Sequence, residues 1–267
     1  MTVLLGLIYY YARYIEPDWV EVTGHHVTLP TLSPAFEKFR IVQISDIHID
    51  TWMTPERLDR LLEIVQKQHA DLIVITGDFI SRRVLYGDDE FIRLFSKLSA
   101  RAGVVAVPGN HDYSGPNAID RLRRLWKESG IRDLSNTIYT LERNGEKLHF
   151  AGVDDVVARK ARLDLVMEQL PADGCAIMLA HEPDFADIIA PYDRFDLQLS
   201  GHTHGGQVRV PVLGALISPK HGRRYDIGWF YVDKMRLYVN RGVGMVTLTL
   251  RFNCRPEIAV FTLYTPK

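Results

Sequence analysis

A chain of 267 residues, 46% hydrophobic, is long enough to bury one large core or two small ones. Its 33 acidic and 32 basic side chains leave a net charge of −1, so no global positive field points to nucleic acid as a partner. The two cysteines, Cys175 and Cys254, form neither a CxxC pair nor a disulfide framework and are expected as buried, reduced thiols.

The first stretch, MTVLLGLIYYYARYIEP, is apolar from Val3 to Ala12. That is short for a membrane span, which needs about 20 residues. It lacks the basic start and small-residue cleavage site of a secretory signal. Tyr9, Tyr10 and Tyr11 suit the membrane–water boundary, and Arg13 favours a cytoplasmic side for the main body of the chain. Residues 1–16 are read as a membrane-associating segment, ahead of a main domain at 17–267. A helix packed on that domain and a degenerate export signal are the alternatives.

From Phe39 a rhythm sets in. FRIVQIS is a short, β-branched apolar run. A helix comes next, with Thr54 as N-cap, Pro55 at its first position and Leu58, Leu61, Leu62 and Val65 on one face. DLIVITGD is a second strand, DDEFIRLFSKLSA a second helix, and GVVAVPGNHD a third strand. GPNAIDRLRRLWKESG is a third helix, closed by Gly130. This alternation predicts a parallel sheet. The second half is denser in strands: EKLHFAGV, CAIMLAHEP, FDLQLSGHTHGG, MRLYVNRG and EIAVFTLY, with helices at RLDLVMEQL and PDFADIIA. No repeat, low-complexity tract or Ser/Gly linker divides the chain, so one α/β domain with two sheets and outer helices is expected.

The polar clusters sit at strand ends. Asp46 and His48 follow the first strand, and Asp78 the second. Asn110, His111 and Asp112 follow the third, His181 follows CAIMLA, and His202 and His204 follow FDLQL. In open α/β sheets the carboxyl edge is where ligands bind. His202 and His204, two apart in an extended segment, would project to one side of the backbone, with Gly201, Gly205 and Gly206 allowing close approach. Each piece alone has an ordinary reading as a turn or surface residue. Together, in this order, they point to a metal site of nitrogen and oxygen ligands.

The set Asp46-Ile47-His48, Gly77-Asp78, Gly109-Asn110-His111-Asp112, His181 and Gly201-His202-Thr203-His204 resembles the calcineurin-like metallophosphoesterases, whose pattern is DxH, GD, GNH(D/E), His and GHxH. YIEPDWVEVTGHHVTLP, GHTHGGQVRVP and NRGVGMVTLTLRFNCRPEI are similar to a bacterial subgroup of small membrane-associated phosphodiesterases. That subgroup includes relatives of UDP-2,3-diacylglucosamine pyrophosphohydrolase. The resemblance implies a four-layer α/β/β/α sandwich of two mixed sheets. It implies two divalent ions, Mn²⁺ first and Fe²⁺, Zn²⁺ or Co²⁺ otherwise. Asp46, His48 and His204 would hold one ion, Asn110, His181 and His202 the other, and Asp78 would bridge them. A hydroxide shared between ions about 3.5–4 Å apart would attack phosphorus in line.

On the same resemblance His111 would aid the leaving group, with Asp112 holding its ring. Three basic clusters lie near the strand ends: Arg82-Arg83, Arg121 to Arg124, and Lys220 with Arg223 and Arg224. The last is the first choice for a diphosphate or headgroup clamp. The expected activity is hydrolysis of a phosphodiester or pyrophosphate, on a lipid-linked substrate at the cytoplasmic face of the bacterial inner membrane. A soluble diester or monoester substrate is the alternative within enzymes, and a catalytically dead binding scaffold the alternative outside them. No obligate protein partner is indicated.

Overall fold

A computed structural model describes residues 2–81 and 87–266 of the chain. Fourteen strands are present among them. They are β1 Glu21–Thr28, β2 Arg40–Ile44, β3 Leu72–Thr76, β4 Val104–Val107, β5 Ile131–Asp133, β6 Thr137–Arg143 and β7 Glu146–Gly152. Then come β8 Cys175–Leu179, β9 Leu197–Ser200, β10 Arg209–Val210, β11 Gly214–Ala215, β12 Gly228–Val232, β13 Met235–Val239 and β14 Glu257–Tyr264. The α-helices are α1 Thr2–Tyr10, α2 Pro55–Gln66, α3 Asp88–Phe95, α4 Ala118–Glu128, α5 Leu163–Gln169 and α6 Ala186–Ile189.

Two six-stranded sheets form, in the orders β1-β14-β2-β3-β4-β5 and β12-β13-β9-β8-β7-β6. β2 to β5 run parallel, as the alternating pattern predicts, and β14 joins them antiparallel. In the second sheet β7, β8, β9 and β13 are parallel, with β6 and β12 antiparallel at its edges. The central strands RIVQI, LIVIT, VVAV and CAIML are buried almost throughout, as parallel strands covered on both faces must be.

Three apolar layers separate four structural layers. Val42, Ile44, Ile73 and Ile75 face α2, α3 and α4. Ile41, Leu72 and Val74, one residue out of phase, face Phe150, Ile177 and Leu199 of the other sheet. Ala176, Met178 and Leu237 face Val166 of α5 and Ile189 of α6. The strands' alternation thus divides each sheet's side chains between an inner layer and an outer one in the α/β/β/α sandwich.

The helix signals hold locally. The Thr54 side chain accepts from the Arg57 N–H, and Leu58, Leu61, Leu62 and Val65 are the buried face of α2. Gly130, at φ +77°, ends α4. α3 ends at Phe95, short of the expected Ala100, and PDFADIIA forms one α-helical turn between 3₁₀ turns. β1, β5, β6, β10, β11 and β12 carry no strong sequence signal. β1, EVTGHHVT, is a polar edge strand with a glycine inside it, and its pairing with β14 supplies the order its own residues lack.

The N-terminus is split. Every residue of α1 is exposed. Burial begins at Ala12, and the Glu16 side chain is fully buried, accepting from the Asn253 and Cys254 N–H groups. No helix among the described residues is long and apolar enough to cross a membrane. Cys175 and Cys254 are free and buried.

Candidate metal centre

The strand ends converge at one edge. Gln43, buried in β2, donates to Thr76 Oγ1 (2.9 Å) and to the Ser200 carbonyl (3.0 Å), tying the two sheets together where the polar loops leave them. The ladder then continues beyond the strands: Asp46 N–H donates to Gly77 O and His48 N–H to Asp78 O, each at 3.0 Å, and Gly201 N–H donates to His181 O at 3.0 Å.

Within this frame the backbone turns left-handed. Asp46, His48, Asp78, His202 and His204 have φ of 53°, 50°, 55°, 72° and 52°. Such conformations cost non-glycine residues on the order of 1 kcal/mol or more each and persist where surrounding structure over-determines them. The His202–His204 segment is thus not the extended run expected from its spacing. Its imidazoles converge through left-handed kinks, because a straight strand would carry them past the edge of the sheet. Gly77, at φ +92°, packs against the His181 ring, where a Cβ would meet Cγ at 2.8 Å. Gly201 leaves no room for a Cβ beside Ser45 and the Asp46 carboxylate.

The sequence-predicted ligands come together. Ligand atoms of Asp46, His48, Asp78 and His204 all lie within 4.8 Å of one another. His48 Nε2 is 3.0 Å from His204 Nε2, and His204 Nε2 is 3.3 Å from Asp46 Oδ1. Asp78 Oδ2 lies 3.4 Å from His48 Nε2 and 3.3 Å from His181 Nε2. His202 Nδ1 is 3.2 Å from His181 Nε2. All six of these side chains are buried. Such separations match two ligands sharing one ion with bonds of about 2.0–2.2 Å.

The outer contacts aim the rings. The Thr76 carbonyl accepts from His181 Nδ1 at 2.7 Å, which leaves Nε2 facing Asp78. The Lys220 carbonyl accepts from His202 Nε2 at 2.7 Å, which leaves Nδ1 facing His181. His48 Nδ1 is 3.2 Å from Ser81 Oγ.

Protonation follows burial and pairing. Burial pushes His48 and His202 down to about 3 and holds His204 well below its ordinary range. Burial pushes Asp46 up to about 7. Burial opposes charge on both Asp78 and His181, yet their mutual attraction prevails: Asp78 lies well below the carboxylate range and His181 well above 6.5. A neutral His48 ring and a protonated His181 ring face the negative Asp78 carboxylate, and the proton on His181 is one that a bound cation would displace. The donor set is imidazole, carboxylate and amide, without thiolate. Asn110 Oδ1 is buried with no hydrogen-bond partner among the described residues, which fits an oxygen ligand.

His111 is half-buried beside this cluster, with its ring 4.8 Å from that of His48 and its N–H donating to Asp78 Oδ1 at 2.8 Å. Asp112 is fully buried and accepts from the Gly109 and Ile80 N–H groups, at 2.9 and 3.1 Å. It braces the turn that carries His111. Burial, then the nearby Asp78 charge, pushes Asp112 up to about 8.

The basic clusters are used differently. Lys220 and Arg223 are exposed beyond the His202 side of the site, and Arg224 pairs with Asp187 at 2.9 Å. In α4, Arg121 and Arg124 pair with Asp88, and Arg123 with Asp133 and Asp154. Arg82 and Arg83 lie outside the described residues. Sequence reasoning assigned no role to Arg251, which is fully buried and donates to the carbonyls of Arg241, Gly242, Gly244 and Cys254. It shapes the loop whose Gly244 N–H donates to Asp46 O at 2.7 Å. Its residue type carried no signal, since a buried arginine is the exception.

Residues 39–206 match the calcineurin-like phosphoesterase family. The chain is 37% identical over 257 residues to the uncharacterized metallophosphoesterase YkuE of Bacillus subtilis, covering 96% of this chain and 89% of that one. It is 29% identical to phosphodiesterase YaeI of Escherichia coli, covering 95% and 92%. It is 27% identical to UDP-2,3-diacylglucosamine pyrophosphatase LpxG of Chlamydia muridarum, covering 97% and 94%. Its fold is similar to that of Haemophilus influenzae NAD nucleotidase, with a TM-score of 0.51, 13% identity, and cover of 77% of this chain and 45% of that one. With a family match over most of its length and that family's ligand pattern buried at one sheet edge, the chain belongs to the calcineurin-like phosphoesterases and is a metal-dependent phosphoesterase.

Proposed function

We propose that the site holds two divalent ions and hydrolyses a phosphodiester or pyrophosphate bond of an amphiphilic substrate at a membrane surface. The observation that carries the two-ion reading is the position of Asp78 Oδ2, 3.4 Å from His48 Nε2 on one side and 3.3 Å from His181 Nε2 on the other. One carboxylate oxygen faced by two imidazole groups suits a bridging ligand. Asp46, His48 and His204 would hold one ion, and Asn110, His181 and His202 the other. Mn²⁺ is the ion proposed, with Fe²⁺, Zn²⁺ and Co²⁺ as alternatives. When bound, the pair supplies the charge that neutralises phosphate oxygens and activates water at neutral pH.

The chain's own residues do the rest. Thr76 and Lys220, through their carbonyls, fix which nitrogen His181 and His202 present. His111 lines the same cavity as Asp78 and Asn110 and would donate a proton, or a hydrogen bond, to the leaving oxygen. Asp112 keeps the His111 turn in place. Exposed Lys220 and Arg223, with Arg224, would attract a diphosphate or headgroup.

Residues 1–16 would form the membrane-associating segment, with α1 as its membrane-facing part and Ala12 and Glu16 anchoring it to the domain. Val3, Leu4, Leu5 and Leu7 are all at least 60% exposed, which leaves the apolar side chains of the helix largely open to solvent. The main domain would lie at the cytoplasmic face of the inner membrane. LpxG, named for action on UDP-2,3-diacylglucosamine, supports a nucleotide-linked lipid diphosphate as the substrate class. The test is a screen of the metal-reconstituted protein against a generic diester, a generic monoester and a nucleotide-linked lipid diphosphate in vesicles. The expected order places the lipid diphosphate first. Preference for the monoester would overturn the reading.

A further inference from the structure

The cavity over the metal centre has two unlike sides. It measures about 440 Å³. Its floor carries Asp78, Asn110, His111, His202 and His204. The rest of its lining includes an apolar wall of Val208, Leu216, Ile217, Val246, Leu248 and Leu250. A polar reaction centre accounts for the floor and gives no reason for the wall. Leu216, Ile217 and Leu248 are 60%, 69% and 49% exposed, so they are not buried core residues that happen to border a cleft. Val212 and Leu213, between β10 and β11, extend the apolar surface outward, the second of them 77% exposed.

The wall is held by polar contacts. The Gln207 side-chain amide donates to the carbonyls of Val246 (3.1 Å) and Leu248 (2.9 Å), and its oxygen accepts from the Val246 N–H (2.6 Å). Leu216 N–H donates to the Val208 carbonyl at 3.3 Å. Gln207 lies three residues after His204, so one short segment joins a metal-ligand candidate to the device that fixes the wall. The same segment meets the root of α1: Arg209 N–H donates to Phe252 O, Arg251 N–H donates to Ala12 O, and Tyr11 packs edge-on against Phe252 at 6.4 Å.

We infer that Leu216, Ile217 and Leu248 form a hydrocarbon-binding wall of this cavity, which takes the alkyl or acyl chain of an amphiphilic phosphate ester whose phosphate lies on the floor. The occupant is set by continuity: the wall and the floor bound one space, so a ligand that fills it joins hydrocarbon directly to an anionic head. The inference rests on the phosphohydrolase reading for the head and stands on the wall's own geometry for the tail. It makes Leu216, Ile217 and Leu248 specificity residues for chain length.

The test uses the intact, Mn²⁺-loaded chain and n-alkylphosphonates from ethyl to decyl, below their micelle concentrations, with binding read by calorimetry. Each buried methylene should lower Kd by roughly two- to fourfold. In Leu216→Ser/Ile217→Ser this dependence on chain length should flatten. Because both side chains are exposed, the variant is expected to melt with wild type. Should it melt earlier, Leu248→Ser alone, which leaves the β10–β11 hairpin intact, gives the same reading. A wild-type affinity independent of chain length would overturn the proposal, and so would a variant that keeps the full dependence. A variant that keeps the dependence but no longer sediments with phosphatidylglycerol vesicles would assign the wall to a bilayer instead, which also overturns it. If wild type shows the dependence yet hydrolyses neither an alkyl p-nitrophenyl phosphodiester nor an alkyl-linked diphosphate, the wall stands and the proposed bond class falls.

Discussion

The metal rim and the apolar periphery invert the usual placement of side chains in opposite senses. At the rim, Asp46, His48, Asp78, His181 and His204 are at most 3% exposed, although titratable groups ordinarily stay in water. At the periphery, α1 and the residues around the β10–β11 hairpin expose Leu4, Leu7, Leu213 and Ile217 at 60% or more, although large aliphatic side chains ordinarily gather inside. The rim is rigidly over-determined, by ladder hydrogen bonds, left-handed turns and glycines with no room to grow. The periphery touches little of its own chain. Buried polar groups call for a ligand that brings charge. Exposed apolar groups call for one that brings hydrocarbon.

The sharpest way to break the comparison is to remove Asp78, the proposed bridging carboxylate. Asp78→Asn should lower bound metal from two ions per chain and reduce turnover by several orders of magnitude, as read by elemental analysis beside diester hydrolysis. A well-loaded wild type holding no more than one transition ion per chain would end the two-ion reading. His111→Ala should keep its metal and lose roughly 10²–10⁴-fold in turnover, with the larger losses on poor leaving groups. Equal losses across a leaving-group series would remove the proton-donor role.

Rigidity at the rim is tested without touching a ligand. Gly77→Ala would place a Cβ 2.8 Å from His181 Cγ and 2.9 Å from the Gly109 nitrogen, at φ +92°. Roughly 1–3 kcal/mol of stability should be lost in denaturant melts, and metal occupancy should fall with it. Unchanged occupancy would show the rim to be softer than its turns imply.

The periphery should behave in the opposite way. Deletion of residues 1–10 spares Ala12 and Glu16, which join the domain at Arg251, Asn253 and Cys254. The shortened chain should hydrolyse a small soluble diester as before but cease to sediment with anionic vesicles. Continued sedimentation would shift the membrane contact away from α1.

The smallest effect concerns a carboxylate at the start of β14. Glu257 is buried, which by itself raises its pKa, but Arg241, Tyr238 and Thr23 reverse this and hold it below 4.5. A depressed folded-state value stabilises the fold above the unfolded pKa, and the benefit is lost as pH falls from about 4.5 through the lower folded value. Glu257→Gln should therefore cost about 1–3 kcal/mol at pH 7, and the difference from wild type should shrink in melts carried out below pH 4. A difference independent of pH would mean that the ionised form is not what is stabilised.

The residue pattern by itself determined the alternation of β2, α2, β3, α3, β4 and α4, because apolar periodicity and cap chemistry are local. It also determined the candidate ligand types, because Asp, His and Asn after successive strands meet at one edge whenever the sheet is parallel. What it could not contain was anything set by pairing between distant segments. β1 is a strand because β14 lies beside it. Asp112 supports a turn through the Ile80 and Gly109 backbone, which its spacing next to His111 does not reveal. His202 and His204 converge through left-handed kinks that only a packed neighbourhood stabilises. Arg251 was invisible because the five carbonyl contacts that hold a buried guanidinium come from residues brought together by tertiary folding. The apolar wall was hidden for the same reason. VPVLGALI in sequence is an ordinary hydrophobic run, and only the fold leaves it without a core and sets it against the floor of the metal centre.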